Sequence, residues 1–384
     1  MHDVLIVGGG PAGLHAAREL ARAGVDVAVL EEHINVGEPV HCTGVLAAEA
    51  FEEFGIPDGS VLNTLRTVAF HSPSGDRITH STSTVEAVVI DRARFDADLA
   101  QLAVGAGAIV RRGARATSLD IDPDCVTVAT GDAQVRGRVC LLACGANYAL
   151  QRRAGLGMPR LLLNTAQVEV PAGRLGDVEV HFGSDVAPQG FAWAVPVRRD
   201  RPYVRIGLMC DGDAGRLFQR LFDRLASRWE IEETARAQPR QKVLPLAPLK
   251  QTYADRVLVL GDAAGLVKPT TGGGIYYSLV SAALAATTVL EALQRGDVSA
   301  TSLAQYQTQW RRRLGGELRW QLVLRRVAER LSDAQINSLF ELARTDGLMP
   351  LLRQTAAFNH HREFIVALLK HPPARRVLFR AALA

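Results

Sequence analysis

The sequence predicts an α/β protein in three parts: a nucleotide-binding unit on a parallel sheet, a β-sheet unit inserted into it, and a helical C-terminal region. Three observations carry this. Residues 4–7 (VLIV) run into Gly8, Gly10 and Gly13, then into helical spacing, then into a second apolar run, 25–30, that ends on Glu31. This is the strand–turn–helix–strand pattern of a Rossmann-type dinucleotide-binding unit. Residues 160–210 hold several β runs with no helix between them, so they do not belong to that parallel sheet. Beyond residue 300 the apolar positions fall at helical spacing.

Each residue type in the first turn has a physical reason. Gly8 allows the tight turn, Gly10 lets the backbone approach a pyrophosphate, and Gly13 lets helix and strand pack closely. Pro11 and Ala12 open the helix, whose N-terminus offers unpaired N–H groups and a partial positive charge to phosphates. Glu31, followed by Glu32, stands where a carboxylate accepts both hydroxyls of an adenosine ribose and repels a 2′-phosphate.

Composition bounds the reading. A chain of 384 residues exceeds one typical domain, and 48% hydrophobic with 22% charged residues is enough to bury a core. The net charge of +4 comes without a single-sign block, which excludes nucleic acid as a partner. Five cysteines (42, 125, 140, 144 and 210), without a CxxC pair or metal-ligand cluster, point to a reducing cytosol and to no metal. The first apolar run is too short for a signal peptide, and no run of about 18 apolar residues would span a membrane. A cytoplasmic protein is expected, with peripheral membrane contact left open.

Along the chain, residues 35–46 read as a loop returning across the bound nucleotide. Residues 65–70 and 76–90 read as strands around the 72–75 turn. Residues 91–105 are helical, with Phe95, Leu99, Leu102 and Ala103 on one face; 108–143 are strand-like. Strands follow at 161–170, 178–182, 191–197 and 203–209, and a helix at 213–228. Residues 257–260 form a buried strand ahead of Gly261 and Asp262, and Gly272 to Gly274 precede a helix at 275–293. In the C-terminal region Trp320, Val323, Leu324, Val327 and Leu331 share one helix face, opposite Arg319, Arg326 and Arg330.

Residues 257–286 read VLVLGDAAGLVKPTTGGGIYYSLVSAALAA. A strand ending in Gly261-Asp262, far from the first fingerprint, resembles the second flavin motif of the glutathione-reductase-type FAD enzymes. The resemblance implies that Asp262 meets the ribityl chain and that Gly273, Gly274 and Ile275 approach the flavin N1–O2 edge. Residues 188–196, PQGFAWAVP, are similar to the PxxYxWxFP motif of the geranylgeranyl reductases, with Phe191 for Tyr and Val195 for Phe. That implies a lipid cavity lined by Phe191, Trp193, Val195 and Pro196; a core strand at period two is the other reading. Cys42, with Thr43, Gly44 and Val45, lies eleven residues past Glu31, where that family sets a cysteine near the flavin. Cys42 and Tyr276 are the candidate proton donors. Arg92 matches an arginine beside the cofactor phosphates, with Arg94 as rival, and Ala116 a backbone contact to adenine. Residues 144–152, CGANYALQR, resemble the DGxxS segment of aromatic hydroxylases, with Cys144 for Asp and Tyr148 for Ser.

The resemblance covers roughly residues 1–290. It implies a discontinuous FAD-binding domain (1–61, 86–159 and 242–296), a substrate domain with an antiparallel sheet (62–85 and 160–241) and a helical region at 297–384. The expected activity is reduction of C=C bonds of an isoprenoid or other lipophilic substrate by hydride from reduced flavin. NAD(P)H or a ferredoxin-like protein supplies the electrons. Two alternatives stand beside it. One is a flavin monooxygenase or halogenase, since FAWAVP also resembles a halogenase WxWxIP segment. The other is a flavin-bound assembly or binding protein.

Overall fold

Short aliphatic runs that bury both faces form the centre of the first sheet. The computed structural model describes residues 1–131, 133–345 and 347–383. Its parallel strands run in the order Val257–Val259, Ala133–Leu142, His2–Val7, Val27–Leu30 and Ile109–Arg111. Tyr253–Ala254 adds an antiparallel edge, and the hairpin Ala116–Ile121/Val126–Thr130 continues from Ala133–Leu142. Helix Pro11–Arg22 packs against both Arg92–Gly105 and Ile275–Arg295, which brings the two glycine-bearing turns to the same side of the molecule.

The second sheet has seven strands: Arg240–Pro245, Leu162–Pro171, Pro202–Cys210, Phe191–Arg198, Val178–His181, Thr67–His71 and Arg77–Ser81. Its pairs are antiparallel except Val178–His181 with Thr67–His71. Strand alternation divides its two faces. Ala192, Ala194, Val204, Ile206 and Leu208 pack on Phe218, Leu221, Phe222 and Leu225 of helix Ala214–Ala226. Phe191, Trp193, Val195, Gln167 and Met209 occupy the opposite face and look into a cavity. A three-stranded sheet, Val45–Ala47, Ala87–Ile90 and Val61–Leu65, joins the units through Val89 packed with Val195 and Val197.

Two boundaries differ from the sequence reading. Strand Arg240–Pro245 pairs with Leu162–Pro171, so residues 242–245 extend the seven-stranded sheet; the Leu163–Leu244 register places Leu244 against the Met209 cluster. Val61–Leu65 belongs to the joining sheet, and only 67–81 of that segment enters the larger one.

Helix Ala300–Ala328 corrects the expected C-terminal stripe. Leu314, Leu318, Gln321 and Arg325 are buried, whereas Val323 is 37% exposed. Polar partners turn the helix this way. Gln321 Nε2 donates to the Tyr277 hydroxyl at 3.2 Å, and Arg325 donates to Glu329 at 2.8 Å and to the Gln189 carbonyl. Helices Asp333–Thr345, Leu348–Thr355, Arg362–Lys370 and Pro372–Leu383 then fold back; the first reaches the seven-stranded sheet through Ser184–Asp333 and Arg344–Asp76 bonds. Helix Ile275–Arg295 is long and apolar enough to cross a membrane by composition, but 72% of that window is buried within the fold.

On two adjacent strands of the seven-stranded sheet, His71 and His181 stack at 4.4 Å beside Glu179, all three buried. Arg228 supplies the counter-charge of Glu179, donating to it at 2.6 Å, and meets His71 Nε2 at 3.4 Å. His181 Nε2 meets Glu179 Oε2 at 3.1 Å, so the cluster and Arg228 form an internal ion network.

Candidate active site

Both glycine-bearing turns open onto one cavity of about 870 Å³ between the two sheets. The first turn is built by close approach. Gly8 has φ +108°, and a Cβ there would lie 2.3 Å from the Ala143 carbonyl; one at Gly13 would lie 2.0 Å from the Gly8 carbonyl. A Cβ at Gly10 would meet nothing within 4 Å, because that side faces the cavity. Pro11, Ala12, Glu31 and Glu32 line the cavity as well. The Glu31 carboxylate accepts from Gly9 N at 2.6 Å and from His33 N at 2.9 Å, which fixes it beside the turn.

Helices Pro11–Arg22 and Ile275–Arg295 both begin at a glycine with no side-chain cap, and both N-termini face the cavity. Helices Arg92–Gly105, Ala214–Ala226 and Ala300–Ala328 are by contrast capped by Asp91, Asp213 and Ser299. Leu348–Thr355 and Arg362–Lys370 lack a side-chain cap too, but the glycine-led N-termini at the cavity offer N–H groups with a partial positive charge to an anionic group there. Arg92 adds another donor. Its guanidinium holds Asp96 at 2.8 and 3.1 Å, and its Nε is buried without a partner. Asp262 lines the same cavity, and among the described residues its carboxylate has no hydrogen-bond partner. Burial pushes it up to about 6, with the Arg92 charge opposing. A Cβ at Gly274 would lie 2.5 Å from Asp262 Oδ1, so any larger residue there would displace that carboxylate. Two positive helix ends, an orphaned arginine N–H and a free acceptor match the pyrophosphate, flavin edge and ribityl hydroxyls of FAD.

Cys42, Thr43, Gly44 and Val45 reach this cavity, as do Gly273, Ile275 and Ala116. Arg205, buried on the seven-stranded sheet, fixes the cysteine loop: it donates to the Thr43 carbonyl at 2.6 Å, to the Ile90 carbonyl at 2.9 Å and to Glu169 at 2.6 Å. Gly44 has φ +72°, and a Cβ there would lie 2.5 Å from the Arg205 guanidinium. Thr43 Oγ1 donates to Gln167 at 2.9 Å. Cys144 lines the cavity too, and burial pushes its thiol up to about 12.

Phe191, Trp193 and Val195 wall the other end, with the first two rings edge-to-face at 5.8 Å. Trp193 lies flat because residue 207 is glycine; a Cβ there would sit 2.4 Å from the indole. Its Nε1 is buried without a partner, in keeping with an apolar hollow.

Several sequence candidates lie elsewhere. Tyr276 is 4% exposed, does not line the cavity, and donates its hydroxyl to Glu53 at 2.7 Å; burial and Glu53 push the phenol up. Ile275 and Ser278 occupy the cavity-facing side of that helix turn, which rotates Tyr276 away. Pro196 borders a smaller hollow, and its carbonyl accepts from Asn63 at 3.3 Å. Gly13 and Gly261 support the turns from behind. Arg94 pairs with Asp98 at 2.8 Å, outside the cavity. Sequence reasoning missed the C-terminal wall: Leu324, Phe358, His361, Phe364 and Ile365 complete the apolar end. Burial holds His361 neutral, down to about 4.

The family model for lycopene cyclase protein matches residues 3–340. The chain is 32% identical over 372 residues to digeranylgeranylglycerophospholipid reductase 1 of Methanopyrus kandleri, covering 90% of this chain and 98% of that one. It is 30% identical to reductase 2 of Methanothermobacter thermautotrophicus, covering 88% and 90%. A geranylgeranyl bacteriochlorophyll reductase-like protein of Thermoplasma acidophilum superposes with a TM-score of 0.85 at 22% identity, covering 99% of both chains. The halogenase PltM, solved with phloroglucinol and FAD, reaches 0.69 at 16% identity, covering 99% and 90%, a likeness of fold. The chain belongs to the flavoprotein family that the lycopene cyclase model describes, and within it to the geranylgeranyl reductase type of FAD-dependent oxidoreductase.

Proposed function

We propose that this protein reduces carbon–carbon double bonds in the prenyl chains of a lipid, the relatives' digeranylgeranylglycerophospholipids being the model substrate. One observation carries the reading: a single cavity is lined by both glycine-bearing turns, Arg92 and Asp262 and also by Phe191, Trp193 and Val195, with the Trp193 Nε1 unpartnered. Reduced FAD supplies hydride. The chain supplies placement, because an isolated alkene is a poor hydride acceptor and orientation must lower much of the barrier. Phe191 and Trp193 offer flat apolar faces that hold an unsaturated chain and leave water no partner. Arg92, Asp262 and the two helix N-termini would hold the cofactor. Of the two proton-donor candidates, Cys42 is the one that faces the cavity.

Electrons come from NAD(P)H visiting this cavity or from a ferredoxin-like protein, since the sequence carries one dinucleotide fingerprint. A lipid substrate makes transient contact with a membrane surface part of the reading. The FAD-loaded protein, reduced with dithionite under nitrogen and given a digeranylgeranyl phospholipid, yields product heavier by two hydrogens per reduced bond in mass spectrometry. Unchanged lipid, with oxygen-dependent hydroxylation or halogenation of an aromatic, would favour the monooxygenase reading.

A further inference from the structure

The loop leading into helix Ile275–Arg295 carries a lysine in an apolar interior. Lys268 is 2% exposed. Its Nζ donates to the Phe358 carbonyl at 2.8 Å and to Asn359 Oδ1 at 2.6 Å, and lies 4.3 Å from the centre of the Phe358 ring. Among the described residues no carboxylate touches it. Glu49 is reached through Asn359, whose Nδ2 donates to Glu49 Oε1 at 2.6 Å. Burial draws the amine down to about 7, with Glu49 and Glu317 pulling the other way. An amine without an opposing charge in contact costs free energy that a methionine of similar length would not.

That cost has a local return. Lys268 N donates to the Gly273 carbonyl at 3.1 Å and Gly272 N to the Lys268 carbonyl at 2.8 Å, closing the loop that presents three glycines to the cavity. Two residues on, Thr270 Oγ1 meets His361 Nδ1 at 2.7 Å. One side of the loop therefore faces the flavin end, while the other grips residues 358–361, whose Phe358 and His361 line the cavity.

We propose that Lys268 is a positioning residue: it braces residues 356–361 against the flavin-facing loop and so sets the width of the cavity for a prenyl chain. The occupant rests on the functional reading above; the brace does not.

The test compares FAD-loaded wild type with Lys268→Met, which keeps length but no donor, and Lys268→Gln, which keeps one. Amide exchange without substrate measures the brace. Lys268→Met is expected to speed exchange in residues 356–361 about tenfold, with residues 8–14 unchanged and Lys268→Gln between. With a digeranylgeranyl phospholipid, Lys268→Met raises KM about tenfold and leaves kcat within about twofold. Faster exchange without wild-type turnover would sink the functional reading and leave the brace standing. Unchanged exchange and KM in Lys268→Met, or a fall in kcat with KM unchanged, would overturn the proposal. Should Lys268→Met fail to fold, Phe358→Ala takes its place: an unchanged KM there overturns the wall's role, and a raised KM supports it.

Discussion

Asp262 gives the cavity a pH signature. Its folded pKa of about 6 lies above the ordinary 3.8, so the folded protein holds more protons than the unfolded chain between those values. Stability contributed by the neutral form is therefore lost as pH rises through that window. Bound FAD would reverse the sense, because its ribityl hydroxyls would donate to the carboxylate. Affinity for FAD should rise about tenfold from pH 5 to pH 7, and Asp262→Asn should flatten the profile in a fluorescence titration of the apoprotein. Parallel profiles would show that Asp262 does not meet the cofactor. Trp193→Ala removes the flat face above Gly207 and should raise KM for a prenyl lipid about thirtyfold while FAD content stays unchanged. The glycines, Glu31 and Asp262 were legible because each residue type answers one chemical demand. Tyr276 was not: one step along a helix turns a side chain by about 100°, and only the packing against Glu53 reveals which way it points.

Strands and loops explain how the cysteine loop and the seven-stranded sheet are held in register. The Arg205 strand grips the Thr43 and Ile90 carbonyls, and through Glu169 and Arg199 it connects to Asp91, the cap of the helix that carries Arg92. Arg205→Lys cannot make all of these bonds, and the Cys42 loop should loosen. Alkylation of Cys42 by iodoacetamide, read by peptide mass spectrometry, should quicken about tenfold while the buried Cys125, Cys140 and Cys210 stay slow. An unchanged Cys42 rate in folded Arg205→Lys would remove Arg205 from that role. Alternation at 191, 193 and 195 showed that these side chains share a face, but period two serves a core and a cavity equally. The helix Ala214–Ala226, packed on Ala192 and Ala194, decides which face is which. The phase of Ala300–Ala328 escaped the sequence because Gln321 and Arg325 look like surface residues until their tertiary partners are seen.

Across the molecule, the parallel sheet and the seven-stranded sheet were readable as separate patterns, while their meeting place was not. The cavity depends on a joining sheet of three short strands and on C-terminal helices that return from beyond residue 340 to close it. No local pattern announces such a wall, since its apolar residues are ordinary for a helical core. Because residues of both the nucleotide unit and the seven-stranded sheet line the cavity, FAD held there should stabilise both together. A single thermal transition should move upward with FAD, by about 2.7 kcal/mol at a hundredfold excess over Kd. Two transitions of which only one moves would show the units to be uncoupled. The decisive trial is anaerobic stopped-flow mixing of the dithionite-free, fully reduced flavoprotein with a digeranylgeranyl phospholipid. The flavin absorbance should return without oxygen, at a rate that depends on lipid concentration and in step with saturation of the prenyl chains. A flavin that stays bleached until oxygen is admitted, with every double bond intact, would contradict the assignment.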